Sequence, residues 1–240
     1  MSAAALAELI RERQPCVVLT GAGISTESGI PDFRSDQGIW RDVDPLEVAS
    51  IHAFRQDPGR VWGFYRRRIG LLRDAEPNAA HQALAQLEER GHVQAVVTQN
   101  IDTLHTRAGS RNVVEVHGSI RFADCPACLW RGPADAALTQ LDASSTPTCP
   151  QCGEVLKPGV VLFGELLPAG ALERATELAR GARLVVVVGS SLEVWPLAGL
   201  PLEADAFAIV NRGPTALDTQ AMLKVDASAG ETLTAVVAAL

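Results

Sequence analysis

The sequence predicts an α/β fold, a Rossmann-like parallel sheet domain with a smaller module inserted, and three observations predict it. Short apolar runs, such as Cys16 to Thr20 and Leu184 to Val188, alternate with segments of helical spacing. That is the pattern of a parallel sheet covered on both faces. The first run enters a glycine turn, Gly21-Ala22-Gly23, the place where such sheets present backbone N–H groups to a phosphate. Two stretches, 32–75 and 118–157, break the alternation, and the second holds four of the five cysteines in two close pairs.

Residues 3–13 read as a short helix feeding the first strand. Pro45 to Phe54 and Arg60 to Arg73 carry helical spacing, broken by Asp57-Pro58-Gly59. They fill most of the roughly forty residues between the glycine turn and the next sheet element, more than an ordinary connection needs, and read as a helical insert over the ligand. Asn78, after Pro77, is a good N-cap for a helix with Ala79, Ala80, Ala83, Leu84 and Leu87 on one face, ended by Gly91. The strands Val93 to Thr98 and Val113 to Val116 follow. The helix Ala171 to Arg180 ends at Gly181; Leu184 to Val188, Phe207 to Val210 and Met222 to Val225 are further strands, and a last helix runs from about Glu231. Both inserts leave from carboxyl ends of strands, where open α/β sheets bind ligands. The expected division is therefore 1–31, 76–117 and 158–240 in the sheet domain, with 32–75 and 118–157 in the small module.

A chain of 240 residues can bury a full core, and 47% apolar with 20% charged residues is globular composition rather than disorder. A net charge of −7 leaves no electrostatic footprint for nucleic acid or an anionic membrane. The apolar runs are too short to span a bilayer. The start, MSAAALAELIRERQ, lacks the basic region and cleavage pattern of a secretory signal, so the expected location is cytoplasmic.

The spacing Cys125-x2-Cys128-x20-Cys149-x2-Cys152 is the sharpest chemical signal. Four thiolates in two knuckles complete a tetrahedral zinc site that is closed to substrate and hence structural. Two redox-active pairs are the alternative, but a thioredoxin-like context is lacking. Residues 121–157 carry three basic and four acidic side chains, which removes a nucleic-acid-binding ribbon. Cys16, in a strand, reads as an apolar filler.

The remaining motifs are less specific taken one by one. In Thr98-Gln99-Asn100-Ile101-Asp102, Asn and Asp offer donor, acceptor and charge to a ribose or carboxamide, or form an Asx turn. His117, at a strand end before Gly118, is a general base or a solvated or core residue. His52 and His92 read as surface residues, His81 and His105 as hydrogen-bonded structural ones. Lys157 to Glu165 is an extended apolar segment that reads as an internal strand. Tyr65 and Arg68 share a helix face and read as a core tyrosine beside a solvated basic face.

Taken together, the motifs resemble those of the sirtuin family of NAD-dependent protein deacylases. The first signature runs unbroken over Gly21 to Ser25 and Ser28 to Arg34, and the second reads TQNIDTLH from Thr98 to His105. His117-Gly118, the cysteine pairs, KPGVVLFGE from Lys157, Gly189-Ser190-Ser191 and Asn211-Arg212-Gly213 follow in family order. The resemblance implies NAD as co-substrate, one structural zinc, and release of nicotinamide and O-acyl-ADP-ribose from acyl-lysine proteins or peptides. It implies cofactor contacts from Gly21, Ala22, Gly23, Ile24, Ser25, Asp32, Phe33, Arg34 and Trp40. Gln99, Asn100, Ile101 and Asp102 would face the nicotinamide and its ribose. Gly189, Ser190, Ser191, Asn211, Arg212, Gly213 and Ala229 would hold the adenosine half. It implies His117 as catalytic base, with Asn100 and Asp102 orienting ribose and water. Val160, Phe163, Gly164 and Glu165 would receive the peptide as an added strand, and the Tyr65/Arg68 pair resembles that of sirtuins acting on succinyl- or malonyl-lysine. The family carries arginine where Lys157 stands and a polar residue at Gly159; the glycine is expected to loosen this segment. A protein ADP-ribosyltransferase using the same NAD site and a non-catalytic NAD-sensing module are the rival functions; the first is told apart by the mass added to the acceptor, and the second has no use for His117.

Overall fold

The computed structural model describes residues 2–33, 35, 38–141 and 146–240. Arg34, expected at the cofactor, lies outside them. In chain order the elements begin α1 (Ala3–Glu12), β1 (Cys16–Thr20), α2 (Pro45–Val48), α3 (Ile51–Gln56), α4 (Pro58–Asp74) and α5 (Ala79–Glu89). They continue β2 (Ala95–Thr98), α6 (Leu104–Arg107), β3 (Val113–Glu115), β4 (Gly118–Asp124), β5 (Arg131–Pro133), α7 (Ala134–Leu141) and β6 (Lys157–Val160). The last are α8 (Ala169–Arg180), β7 (Leu184–Val188), β8 (Phe207–Val210), β9 (Leu223–Val225) and α9 (Ala229–Ala239).

The chain forms two compact units, one of residues 1–32, 76–116 and 168–240, the other of 33–75 and 117–167. In the first, six strands pair in the order β3-β2-β1-β7-β8-β9, all parallel. This is the doubly wound arrangement, with its switch point between β1 and β7. The register sets Thr20 opposite Thr98 and Val188, so the glycine turn and both polar loops leave the sheet side by side. Every residue of β1 and β7 is buried, because helices cover both faces. Leu6 and Ile10 of α1, Leu84 and Leu87 of α5 and Leu233 of α9 pack into a core with Val18, Val96 and Val186. Burying each such side chain contributes about 1.5–3 kcal/mol.

Local signals set the helix limits. The Asn78 carboxamide oxygen accepts from the backbone N–H of Ala80 and His81, while His81 Nδ1 accepts from Asn78 N–H, a capping box with histidine in the usual glutamate position. Ala79, expected on the buried face, is exposed. The last helix starts at Ala229 rather than near Glu231, because Ser228 caps it by accepting from the Glu231 N–H.

The second unit holds α2, α3 and α4 and a three-stranded sheet, β5-β4-β6, paired antiparallel. Residues 158–167, which the sequence placed with the sheet domain, cluster here. The apolar run that begins β6 pairs with β4, across a register shift between Gly118 and Ala123. Among the described residues no helix is long and apolar enough to cross a membrane.

Candidate active site

At the switch point, three glycines interlock. Gly21 N–H donates to Val188 O and Gly23 N–H to Gly189 O at 2.8 Å. A Cβ on Gly21 would lie 2.8 Å from Gly189 O, and one on Gly23 2.9 Å from Gly189 Cα. Gly189 itself has φ +64°, a conformation that favours glycine. The glycines are thus required by close backbone packing within the protein itself. A 3₁₀ segment, Ala22–Ser28, follows the turn. The Ile24 side chain belongs to the core, which leaves only its backbone for a ligand.

The TQNID loop folds onto this turn. Asn100 Nδ2 donates to Gly21 O and to Ser25 Oγ, each at 3.1 Å, and Ser25 Oγ donates to Asp102 Oδ2 at 2.7 Å. Asp102 Oδ1 accepts from Leu104 N–H at 3.0 Å, starting α6. Gln99 Nε2 donates to Ser190 Oγ at 3.1 Å. So Gly21, Gly23, Ser25, Gln99, Asn100, Asp102, Gly189 and Ser190 form one bonded group, with Ser25, Asn100, Asp102 and Ser190 all buried.

Next along the sheet edge, Asn211 Nδ2 donates to Arg212 O at 2.9 Å. Lys224 Nζ donates to Gly213 O at 2.8 Å and pairs with Asp218 at 2.6 Å, while Gly213 N–H donates to Asp226. Glu27 accepts from Ser228 Oγ and from Gly230 N–H, both at 3.1 Å, and so ties the turn to the start of α9 beside Ala229. Glu27 and Lys224 carry no signal in the sequence: Glu27 meets Gly230, 203 residues away, and Lys224 meets Gly213, 11 residues away, pairings that no local pattern marks.

In the second unit, His117 is half-buried, and its carbonyl accepts from Val161 N–H at 2.8 Å. Phe33 stacks on Trp40 at 5.1 Å, and Trp40 on Phe64 at 6.1 Å with Phe163 edge-on at 6.3 Å. Tyr65 and Arg68 are not part of a solvated face. Arg66 and Arg67 are exposed, but Arg68 is only 9% exposed and its guanidinium lies 4.9 Å over the Phe33 ring. Burial pushes the Tyr65 hydroxyl pKa up, against the pull of Arg68. The pair and Phe33 therefore share one aromatic, cationic corner.

The segment after β6 is held rather than loose. A Cβ on Gly159 would sit 2.7 Å from Phe122 O, so the glycine lets β6 press on β4; the expectation that it loosens the segment is corrected. Phe163 N–H donates to Ala49 O at 2.8 Å, and Phe163 O accepts from Ile51 N–H at 3.0 Å. Gly164 has φ +85°. Lys157, buried, donates to Pro158 O at 3.1 Å and Val160 O at 2.8 Å and lies 3.2 Å from Glu165, whose carboxylate also accepts from Leu162 N–H. Lys157→Met is expected to destabilise the fold by about 1–3 kcal/mol, the penalty of stranding these acceptors. An unchanged urea midpoint would rule out this role.

The four predicted cysteines converge. Their sulfurs all lie within 4.8 Å of one another, with Cys125 and Cys152 at 3.5 Å and Cys128 and Cys149 at 3.6 Å. Sulfurs about 2.3 Å from one zinc stand about 3.8 Å apart in a tetrahedron, so the donor set fits. Cys128 N–H and Gln151 N–H donate to the sulfurs of Cys125 and Cys149, the backbone support that thiolate ligands use.

Residues 21–196 match the Sir2 family. The chain is 46% identical over 236 residues to NAD-dependent protein deacylase 2 of Archaeoglobus fulgidus, covering 96% of this chain and 93% of that protein. It is 44% identical over 232 residues to an NAD-dependent protein deacetylase of Caldivirga maquilingensis, covering 95% and 89%. Among solved structures it resembles a Sir2 protein bound to a propionylated peptide, with TM-score 0.90 and 39% identity, covering 99% of this chain and 98% of that one. A complex of Sir2 with a p53 peptide and NAD+ gives the same TM-score of 0.90 and 39% identity, over 99% and 98%. On a family match of this extent and relatives this close, the chain belongs to the Sir2 family.

Proposed function

We propose that this chain removes acyl groups from lysine side chains of proteins, consuming NAD and one water and releasing free lysine, nicotinamide and O-acyl-ADP-ribose. The observation that carries the reading is the likeness, along almost the whole chain, to proteins named NAD-dependent protein deacetylase or deacylase. The bonded group of Gly21, Ser25, Asn100 and Asp102 supports it, since it joins both signatures at the sheet's switch point.

When bound, NAD supplies a ribose carbon whose bond to nicotinamide the acyl oxygen can break, and a ribose hydroxyl to take the acyl group. The chain's own part is to bind, orient and move a proton. In this reading the unit of residues 1–32, 76–116 and 168–240 serves as the NAD-binding domain. The turn Gly21 to Ser25 holds the pyrophosphate; Gly189 to Ser191, Asn211 to Gly213 and Ala229 hold the adenosine half. Asn100 faces the ribose, and Asp102 fixes Ser25 and the start of α6 around it. His117 takes the proton of the ribose hydroxyl as general base. Asp32, Phe33 and Trp40 cover the nicotinamide side and exclude water. Val160 to Glu165 receives the peptide by backbone pairing. The zinc held by Cys125, Cys128, Cys149 and Cys152 takes no part in the chemistry; it keeps the small module in shape. The location that accompanies this reading is the cytoplasm.

Tyr65 and Arg68 select an acidic acyl group. The buried guanidinium of Arg68 is the supporting observation, since a desolvated cation binds a carboxylate more strongly than an exposed one. The test follows one lysine peptide in acetyl and succinyl forms by mass spectrometry, with and without NAD. Succinyl is expected to leave at the higher kcat/KM. Arg68→Met is expected to lower that value about 10–100-fold, the worth of one charge-assisted pair, with little effect on acetyl. Equal losses for both forms would deny Arg68 this role. An ADP-ribose mass gained by the acceptor, with no acyl loss, would favour the transferase.

A further inference from the structure

The histidine that closes the second signature, His105, is not accounted for by any contact assigned above, yet it is 2% exposed and sits beneath both motif-bearing strand ends. Its Nε2 lies 2.9 Å from Thr20 Oγ1, the last residue of β1 before the glycine turn. Thr20 Oγ1 donates to Thr98 Oγ1 at 2.8 Å, the last residue of β2, and Thr98 Oγ1 accepts from Asn100 N–H at 3.1 Å.

The Thr20-to-Thr98 bond and the unpartnered Nδ1 of His105 together give this chain one direction. Thr20 has one hydroxyl proton and spends it on Thr98. The contact with His105 must then run the other way, with Nε2–H as donor. The other ring nitrogen agrees: His105 Nδ1 is buried and has no hydrogen-bond partner. A bare lone pair there is tolerated, whereas an N–H without an acceptor would be penalised more heavily. The neighbouring ring is alike. His81 stands 4.8 Å from His105, accepts at Nδ1 from Asn78 N–H, and turns Nε2 toward Ser25 Oγ at 3.5 Å. Ser25 spends its own proton on Asp102, so His81 also carries its proton on Nε2. Burial holds both rings neutral: His81 is lowered to about 4, and His105 falls well below the usual imidazole range, with His81 adding to its shift.

We propose that His105 is a positioning residue: through Nε2–H it fixes the Thr20–Thr98 hydroxyl pair, and so sets the spacing of the two strand ends that carry the glycine turn and Asn100. It touches no reacting atom and acts through Thr20, Thr98 and Asn100. The inference rests on the NAD site proposed above. It predicts that the ring is required for one donor at one place, and not for its bulk.

The test exploits amide geometry. A glutamine side chain can place its N–H₂ where Nε2 stands, while asparagine places it where Nδ1 stands. His105→Gln, His105→Asn and His105→Phe are compared for thermal midpoint, for NAD binding by calorimetry, and for KM and kcat toward NAD and an acyl-lysine peptide. His105→Gln is expected to keep kcat/KM for NAD within about threefold of the parent, as one neutral hydrogen bond replaces another. His105→Asn and His105→Phe are expected to lose about tenfold or more, the scale of a small misplacement at a site, with peptide KM changed less than about twofold. Thr20→Val is expected to match His105→Phe, and the double variant to be no worse than either, since both break one chain. Glutamine no better than asparagine, or losses that fall equally on NAD and peptide and track the thermal midpoint, would overturn the assignment. Deacylation absent from the parent protein would instead count against the function itself, and NAD calorimetry on the same variants would still decide the role of His105.

Discussion

His117→Ala is expected to turn over acyl-lysine peptide about 10²–10⁴-fold more slowly than the parent, the usual contribution of a positioned general base, while still binding NAD. The backbone at this position holds a structural bond of its own. The His117 carbonyl accepts from Val161 N–H, and alanine keeps that bond. Gly118, with φ +77°, makes the close approach to Gly159 that joins β4 to β6, and the substitution leaves it alone. The thermal midpoint should therefore change little. Turnover by mass spectrometry and NAD affinity by calorimetry separate the two effects. A fully active variant would remove His117 from the chemistry, and one that no longer binds NAD would make it a binding residue.

Removing zinc is expected to have the larger effect on stability. Among the described residues, the cysteine knuckles close a region with little sheet: β5 spans Arg131–Pro133, α7 spans Ala134–Leu141, and an isolated bridge joins Thr148 to Val155. So little sheet cannot order itself against chain entropy of about 1–2 kcal/mol per residue. In small zinc modules the bound metal supplies about 10–16 kcal/mol of apparent binding energy at neutral pH, and that energy is folding energy. Metal analysis should find one zinc per chain. A chelator, or Cys149→Ser, should remove it, lower the thermal midpoint and abolish turnover together. A protein freed of zinc that melts at the same temperature and still deacylates would overturn the structural assignment. The proposed peptide segment belongs to the same unit: Trp62 of α4 donates from its indole to Leu156 O at 2.6 Å, one residue before β6. Loss of the knuckles should thus reach the peptide KM before the fold is fully lost.

Where the amino-acid pattern speaks is where the physics is local. The β-branched runs of β1 and β7 must be buried strands because both faces are covered. Asn78 caps α5 through its immediate neighbours. Two Cys-x2-Cys pairs announce a four-thiolate site whatever the fold around them. Gly21-Ala22-Gly23 declares a tight turn, and TQNID a polar loop. Those features, with their order along the chain, determined the fold class, the four-cysteine cluster and the likeness to sirtuins.

Only the tertiary structure decided the rest. It showed that Gly21 and Gly23 are glycines because Gly189, far along the chain, packs against them. It turned Arg68 inward over Phe33 while Arg66 and Arg67 stayed in water. It set β6 antiparallel to β4 and made Gly159 a close contact rather than a slack point. It placed His105 under Thr20, 85 residues away. Helical and strand periodicity and turn chemistry are written in neighbours a few residues apart, and can be read there. Which buried polar group meets which is settled by the need to satisfy every donor and acceptor once water is gone, and that need is met by residues from anywhere in the chain.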